Sequence, residues 1–301
     1  MHMNSSKMHD DEIDIDEELV QNLIATQFPQ WKELFIKPVA STGTDNALFM
    51  LGEELVIRLP RINTALELID KENVWLPILA PQLPTPIPTP VAQGKPSEEY
   101  PWNWSILQWM SGNIVTHDED LFSVAQDLAQ FINALRAIDP AKGRALNVNN
   151  NARGAPLLTR DTEVRQAVEQ LTNEIDTSLA IELWESALRT PEYTAEPSWI
   201  HGDLQPGNIL VSNGKLSGVI DFGCLGIGDP ACDLIPAWTL FSSENRMKFR
   251  DALDVDDAMW DRGRGWALSI ALIALPYYLH SSPFITRLSR FTIEQVFTDV
   301  T

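Results

Sequence analysis

The segment His201-Gly-Asp-Leu-Gln-Pro-Gly-Asn208 is followed thirteen residues later by Asp221-Phe222-Gly223. Apolar runs flank both: Trp199-Ile200 before the first, Ile209-Leu210-Val211 between them, and Val219-Ile220 before the second acid. The pattern predicts Asp203 and Asn208 on a loop and Asp221 at the end of a neighbouring strand. Two carboxylates and an amide so placed suit phosphoryl transfer. That reaction needs a carboxylate to orient an attacking hydroxyl and take its proton, and oxygen ligands to hold Mg²⁺ against phosphates.

These motifs resemble the catalytic loop and metal-binding motif of the protein-kinase-like superfamily. The resemblance implies Asp203 as catalytic base, Asn208 as a Mg²⁺ ligand and Asp221 as the main Mg²⁺ ligand, with ATP or GTP as co-substrate. Gly202 stands where protein kinases carry an Arg, and no Ala-Pro-Glu motif follows. Instead the chain reads Gly228-Asp-Pro-Ala-Cys-Asp233-Leu. His-Gly-Asp combined with Gly-Asp-Pro-Ala-x-Asp-Leu is similar to the aminoglycoside phosphotransferase family, over roughly residues 20–280. The resemblance implies a small-molecule kinase with an aminoglycoside-type acceptor, an amino alcohol, sugar or macrolide being the alternatives. A catalytically silent relative of the same fold is the other class; it would usually lack one of the three residues. The resemblance implies that Asp233 braces the loop, and His201, preceding the acid at a buried strand end, is expected to be structural.

Upstream, Ala65, Leu68, Ile69, Glu72, Trp75, Leu76 and Leu79 share one face of a helix predicted over 64–79, opened by the capping-box pattern at Thr64 and stopped by Pro81. Glu72 lies in an apolar stripe, where an unpaired carboxylate is costly, so Arg58 in the strand Leu-Val-Ile-Arg-Leu-Pro is its natural partner. In kinase-like folds a basic residue on this strand, usually Lys, holds the donor phosphates. The resemblance also assigns the loop containing Ser41, Gly43 and Thr44 to the phosphates, and the backbone of Gln108 and Met110 to the adenine-binding hinge.

The elements that must position these residues change character along the chain. A helix is expected over 16–28, strands near 35–41, 46–51, 55–59 and 104–110, and a proline-rich connector over 81–90. Helices are expected over 119–136 and within 160–188, an Asn- and Gly-rich linker over 140–156, and mostly helix after residue 223. The implied fold class is α+β: a bilobal protein-kinase-like fold, with a small β-rich N-lobe binding nucleotide (1–110, of which 1–15 is expected to be flexible) and a larger, mostly helical C-lobe (111–301).

The net charge of −20 argues against nucleic acid or an anionic membrane as partner, and permits a cationic acceptor. Asp229, Asp254, Asp256, Asp257 and Asp261 are the carboxylates that could receive such a cation. With only two cysteines, a polar start lacking a signal-peptide pattern, and a longest apolar run (Trp266 to Leu279) too short to span a bilayer, a cytoplasmic protein is expected.

Overall fold

The computed structural model describes residues 13–39, 46–62, 66–116, 121–145 and 152–299. They form two compact units: residues 1–81 with 87–111, and residues 82–86 with 112–301.

The first unit is built on an antiparallel sheet. Helix α1 (Glu17–Gln27) begins where Asp16 accepts a hydrogen bond from the Leu19 N–H at 2.9 Å, and buries Val20, Leu23 and Ile24. Strands β1 (Ile36–Pro38), β2 (Asn46–Leu51) and β3 (Leu55–Pro60) follow, then helix α2 (Leu66–Leu79), β4 (Pro90–Gly94) and β5 (Trp104–Gln108). The sheet order is β1-β2-β3-β5-β4. Leu51, Ile57, Leu59, Trp104 and Ile106 form its core with α1. Residues 13–15, expected to be flexible, are tied down: the Ile13 N–H donates to the Arg61 carbonyl at 3.1 Å, and Ile15 packs on the core. Strand β4 follows the proline-rich connector in a segment for which no element was expected, and pairs with β5, with Pro90 as its first residue on the sheet edge. Pro77 lies inside α2, which ends at Leu79 in a further 3₁₀ turn, Ala80–Gln82, that contains Pro81. The predicted capping box at Thr64 lies outside the described residues.

The second unit opens with β6 (Asn113–Ile114) and α3 (Phe122–Ala137), whose buried face carries Val124, Leu128, Phe131, Ile132 and Leu135. The linker contains a 3₁₀ turn at Pro140–Ala145 and is followed by another at Leu157–Arg160, and the helical region resolves into α4 (Asp161–Gln170) and α5 (Thr177–Arg189). Strands β7 (Ser198–Ile200), β8 (Ile209–Ser212), β9 (Lys215–Val219) and β10 (Gly226–Gly228) carry the motif segment. They pair as β6-β8-β9 and β10-β7. Helices α6 (Pro236–Thr239), α7 (Ser243–Ala252), α8 (Asp257–Tyr278) and α9 (Pro283–Thr298) complete the unit. α8 is its axis, with Trp266, Leu268, Ala271, Leu272 and Leu275 buried against α4, α5 and α9. Among the described residues, no helix is long and apolar enough to cross a membrane.

Candidate active site

Strand β7 is buried along its length and delivers His201 and Gly202 to a fixed point. There the Asp233 carboxylate accepts both main-chain N–H groups, each at 2.7 Å. Burial pushes the Asp233 carboxyl up, and the two backbone donors pull the other way. Asp233 thus braces the loop, as its position after Gly-Asp-Pro implied. Gly202 has φ +81°, and a Cβ there would lie 2.6 Å from the Cys224 carbonyl oxygen, so the Arg of protein kinases has no room. The His201 Nδ1 accepts the Asp203 N–H at 3.2 Å, which makes Nε2 the protonated nitrogen, donating to the Ile220 carbonyl at 3.1 Å.

Asp203 follows, its side chain about one-fifth exposed. One carboxylate oxygen, Oδ2, accepts from Gln205 Nε2 at 2.9 Å and Asn208 Nδ2 at 3.0 Å. The other, Oδ1, lies 3.7 Å from the Arg153 guanidinium. Burial raises the Asp203 pKa; Arg153 opposes the rise, Asp221 adds to it, and the two amide donors oppose it. Neither Gln205 nor Arg153 was expected in the site. Gln205 lay inside the motif and could have been found from it. Arg153 sits in the linker, where nothing in the spacing marks it.

Asn208 also ties the two motifs together. Its amide nitrogen donates to the Asp203 carbonyl at 2.8 Å, and its own carbonyl accepts from the Ile220 N–H at 2.9 Å. Ile220 is therefore held by Asn208 on one side and His201 on the other, immediately before Asp221. Asp221 itself adopts a left-handed conformation, φ +61° and ψ +75°, and its carboxylate accepts the Gly223 N–H at 3.3 Å. Such a backbone costs a non-glycine residue about 1–3 kcal/mol and persists only where its surroundings enforce it. Here Phe222 packs on the His201 ring with centroids 4.5 Å apart.

Among the described residues, no group of three His, Cys, Asp or Glu side chains could hold a metal ion. Mg²⁺ takes oxygen donors, one or two of them protein carboxylates, and completes its shell with phosphates and water. Asp221 and Asn208 are the residues that could offer such a cation a carboxylate and an amide oxygen, the amide nitrogen of Asn208 being committed to Asp203.

Four of the five acids considered for a cationic acceptor are engaged elsewhere. Asp229 is buried, caps the 3₁₀ turn Pro230–Leu234 through Ala231 N at 3.0 Å, and pairs with Arg262 at 2.7 Å. Asp256 caps α8, Asp257 pairs with Arg250, and Asp261 pairs with Arg264. Asp254 is exposed.

In the first unit, Arg58 on β3 and Glu72 on α2 form the expected ion pair, and both are buried. With the Asn46 amide oxygen turned toward it, the guanidinium also has an acceptor 3.2 Å from Nε and 3.1 Å from Nη2. The Gln108 N–H donates to the Thr89 carbonyl at 2.9 Å and is therefore committed, whereas that of Met110 has no hydrogen-bond partner among the described residues. Ser41, Gly43 and Thr44 lie outside the described residues.

The model of the phosphotransferase enzyme family (APH) matches residues 36–266. Among solved structures, the GDP complex of wild-type aminoglycoside 2′-phosphotransferase-IIIa superimposes with a TM-score of 0.73 at 21% identity, covering 95% of this chain and 100% of that one. The GDP and kanamycin complex of APH(2″)-IIIa gives 0.71 at 21% identity, covering 94% and 99%. The apoenzyme of macrolide 2′-phosphotransferase MphH from Brachybacterium faecium gives 0.65 at 18%, covering 92% and 98%. Among curated proteins, "Uncharacterized protein YcbJ" of Bacillus subtilis (strain 168) is 23% identical over 241 residues, 72% of this chain and 71% of that protein.

Proposed function

The chain belongs to the phosphotransferase enzyme family and is a phosphotransferase acting on a hydroxyl group; from that premise we propose that it moves the γ-phosphoryl group of Mg²⁺-bound ATP or GTP to a small-molecule alcohol, with Asp203 as the catalytic base. The observation that carries this reading is Asn208, bonded to Asp203 through its side chain and to the residue before Asp221 through its carbonyl.

Asp203 orients the acceptor hydroxyl and takes its proton as the oxygen bonds to the γ-phosphorus. The bond from that phosphorus to the β-phosphate oxygen breaks, ADP or GDP leaves, and the proton passes from Asp203 to solvent. Gln205 and Asn208 fix the rotamer of Asp203, so the carboxylate is positioned before the acceptor arrives. His201 and Asp233 hold the loop. Arg58, braced by Glu72, binds donor phosphates, and Met110 offers its N–H to the purine. Mg²⁺, held by Asp221 and Asn208, would supply charge neutralisation at the phosphate oxygens.

An aminoglycoside acceptor draws support from the likeness to the kanamycin complex, and a macrolide from the likeness to MphH. A soluble setting such as the cytoplasm suits a nucleotide-dependent enzyme of this kind. Calorimetric titration with ATP and GTP, with and without Mg²⁺, followed by acceptor-dependent release of ADP or GDP, tests the reading. Mg²⁺-dependent nucleotide binding is expected. Absence of binding to either nucleotide would overturn it.

A further inference from the structure

Resting on the kinase reading above, the surroundings of Asp203 narrow the acceptor. The side chain that forms an ion pair with its carboxylate is basic: Arg153, 3.7 Å away. Arg153 and Arg160 both stand over the indole of Trp266, at 5.9 and 5.2 Å from the ring centroid. Arg160 is held from its ε nitrogen by Ser269 at 3.0 Å, and among the described residues it forms no ion pair with a carboxylate. Burial and the neighbouring charge of Arg153 bring its pKa down to about 10, against an opposing pull from the Glu163 carboxylate. Two guanidiniums gathered on one ring repel each other, and a bound anion relieves that repulsion.

Two further observations point the same way. Trp266 is fully buried, yet its indole N–H has no hydrogen-bond partner among the described residues. A buried donor without an acceptor is costly, and a ligand oxygen would satisfy it. Of the acids that could have received a polycation, Asp229, Asp257 and Asp261 pair with Arg262, Arg250 and Arg264, Asp256 caps a helix, and Asp254 alone is exposed without such a partner among the described residues. Arg–carboxylate and Arg–phosphate recognition through paired N–H donors is strong and directional.

We propose that the acceptor is a hydroxyl compound carrying an anionic group, a carboxylate or a phosphate ester, which Arg153 and Arg160 hold at Trp266 beside Asp203. The phosphoryl step is the one already described; the anionic group only anchors the molecule that supplies the hydroxyl. Arg160 is the specificity-determining residue, since Arg153 also touches the catalytic carboxylate.

The full chain is saturated with Mg²⁺ and ADP, that binding being measured first. It is then titrated by calorimetry with four probes: D-gluconate, D-glucose 6-phosphate, D-glucitol and kanamycin. The carboxylate and phosphate arms tell which anion is preferred; glucitol is the neutral control and kanamycin the cationic one. At least one anion is expected to bind tenfold or more tightly than both controls. Arg160→Gln should weaken that binding at least tenfold, with Arg160→Lys recovering part of it and ADP affinity unchanged in both. If Mg²⁺–ADP binds but neither anion outcompetes glucitol and kanamycin, the inference is overturned and the kinase reading stands. Anion binding unaffected by Arg160→Gln would overturn it too. If the nucleotide itself fails to bind, the kinase reading falls and this inference with it.

Discussion

The side-chain amide of Asn208 donates to both the main-chain carbonyl and the carboxylate of Asp203, at 2.8 and 3.0 Å. One residue therefore fixes the proposed base while leaving its amide oxygen for a cation. Gln205 adds a second donor to the same carboxylate oxygen, at 2.9 Å. Hydrogen bonds to charged groups are worth about 1.5–3 kcal/mol. Gln205→Ala should therefore lower kcat by roughly tenfold or more, with nucleotide affinity unchanged. Steady-state kinetics beside calorimetry checks this; an unaltered kcat would make Gln205 a bystander.

Asp221 is the charged member of the proposed cation site. Asp221→Ala should weaken ATP or GTP binding in the presence of Mg²⁺ and leave binding in a chelator unchanged, because it removes a carboxylate from a hard cation. Titrations with and without EDTA separate the two. Equal losses in both conditions would point to a collapsed loop.

Arg58 and Glu72 are both buried, so removing one partner strands the other's charge. Glu72→Ala or Arg58→Ala should each cost about 3–5 kcal/mol, and the double variant less than the sum of the two. Urea titrations of the four proteins give the coupling. Strict additivity would show that the pair carries no interaction energy.

Asp161 accepts hydrogen bonds from the Trp184 indole at 2.9 Å and from Arg165. These bonds, the indole's first, hold its carboxyl below the usual range despite some burial. A folded pKa lower than the unfolded one contributes stability that is fully present above about pH 4 and is lost as the pH falls through the folded value. Thermal midpoints of the wild type should therefore exceed those of Asp161→Asn at pH 7, with the gap shrinking below about pH 4. A gap that stays constant to pH 2.5 would remove the linkage.

The two motifs were legible because their residues are close in sequence and each needs its own chemistry: an acid, an amide and a second acid on short loops between apolar strands. The Arg58–Glu72 pair was legible from a single carboxylate in an apolar stripe. Other features depend on chain segments meeting in space. Arg153 reaches Asp203 across fifty residues of sequence, through the space that Gly202 leaves, and its neighbours in the linker carry no periodicity. Strands β6 and β10 are two and three residues long, with Gly226 and Gly228 in the latter, so their pairing comes from β8 and β7 and not from propensity. The acids at 254–261 looked available in sequence because Arg250, their neighbour on α7, and Arg264, one turn on, gave no sign of engaging them.

The central claim is that Asp203 takes the proton of an alcohol during phosphoryl transfer, and ³¹P NMR of the wild type and Asp203→Asn under the same conditions tests it most directly. With Mg²⁺–ATP or Mg²⁺–GTP and an acceptor that binds, the wild type should produce a phosphomonoester resonance as the γ-phosphate signal declines. The variant should bind nucleotide with nearly unchanged affinity and form the ester at least a hundredfold more slowly, a loss of about 2.7 kcal/mol in transition-state stabilisation. Ester formation by Asp203→Asn at the wild-type rate would contradict the account.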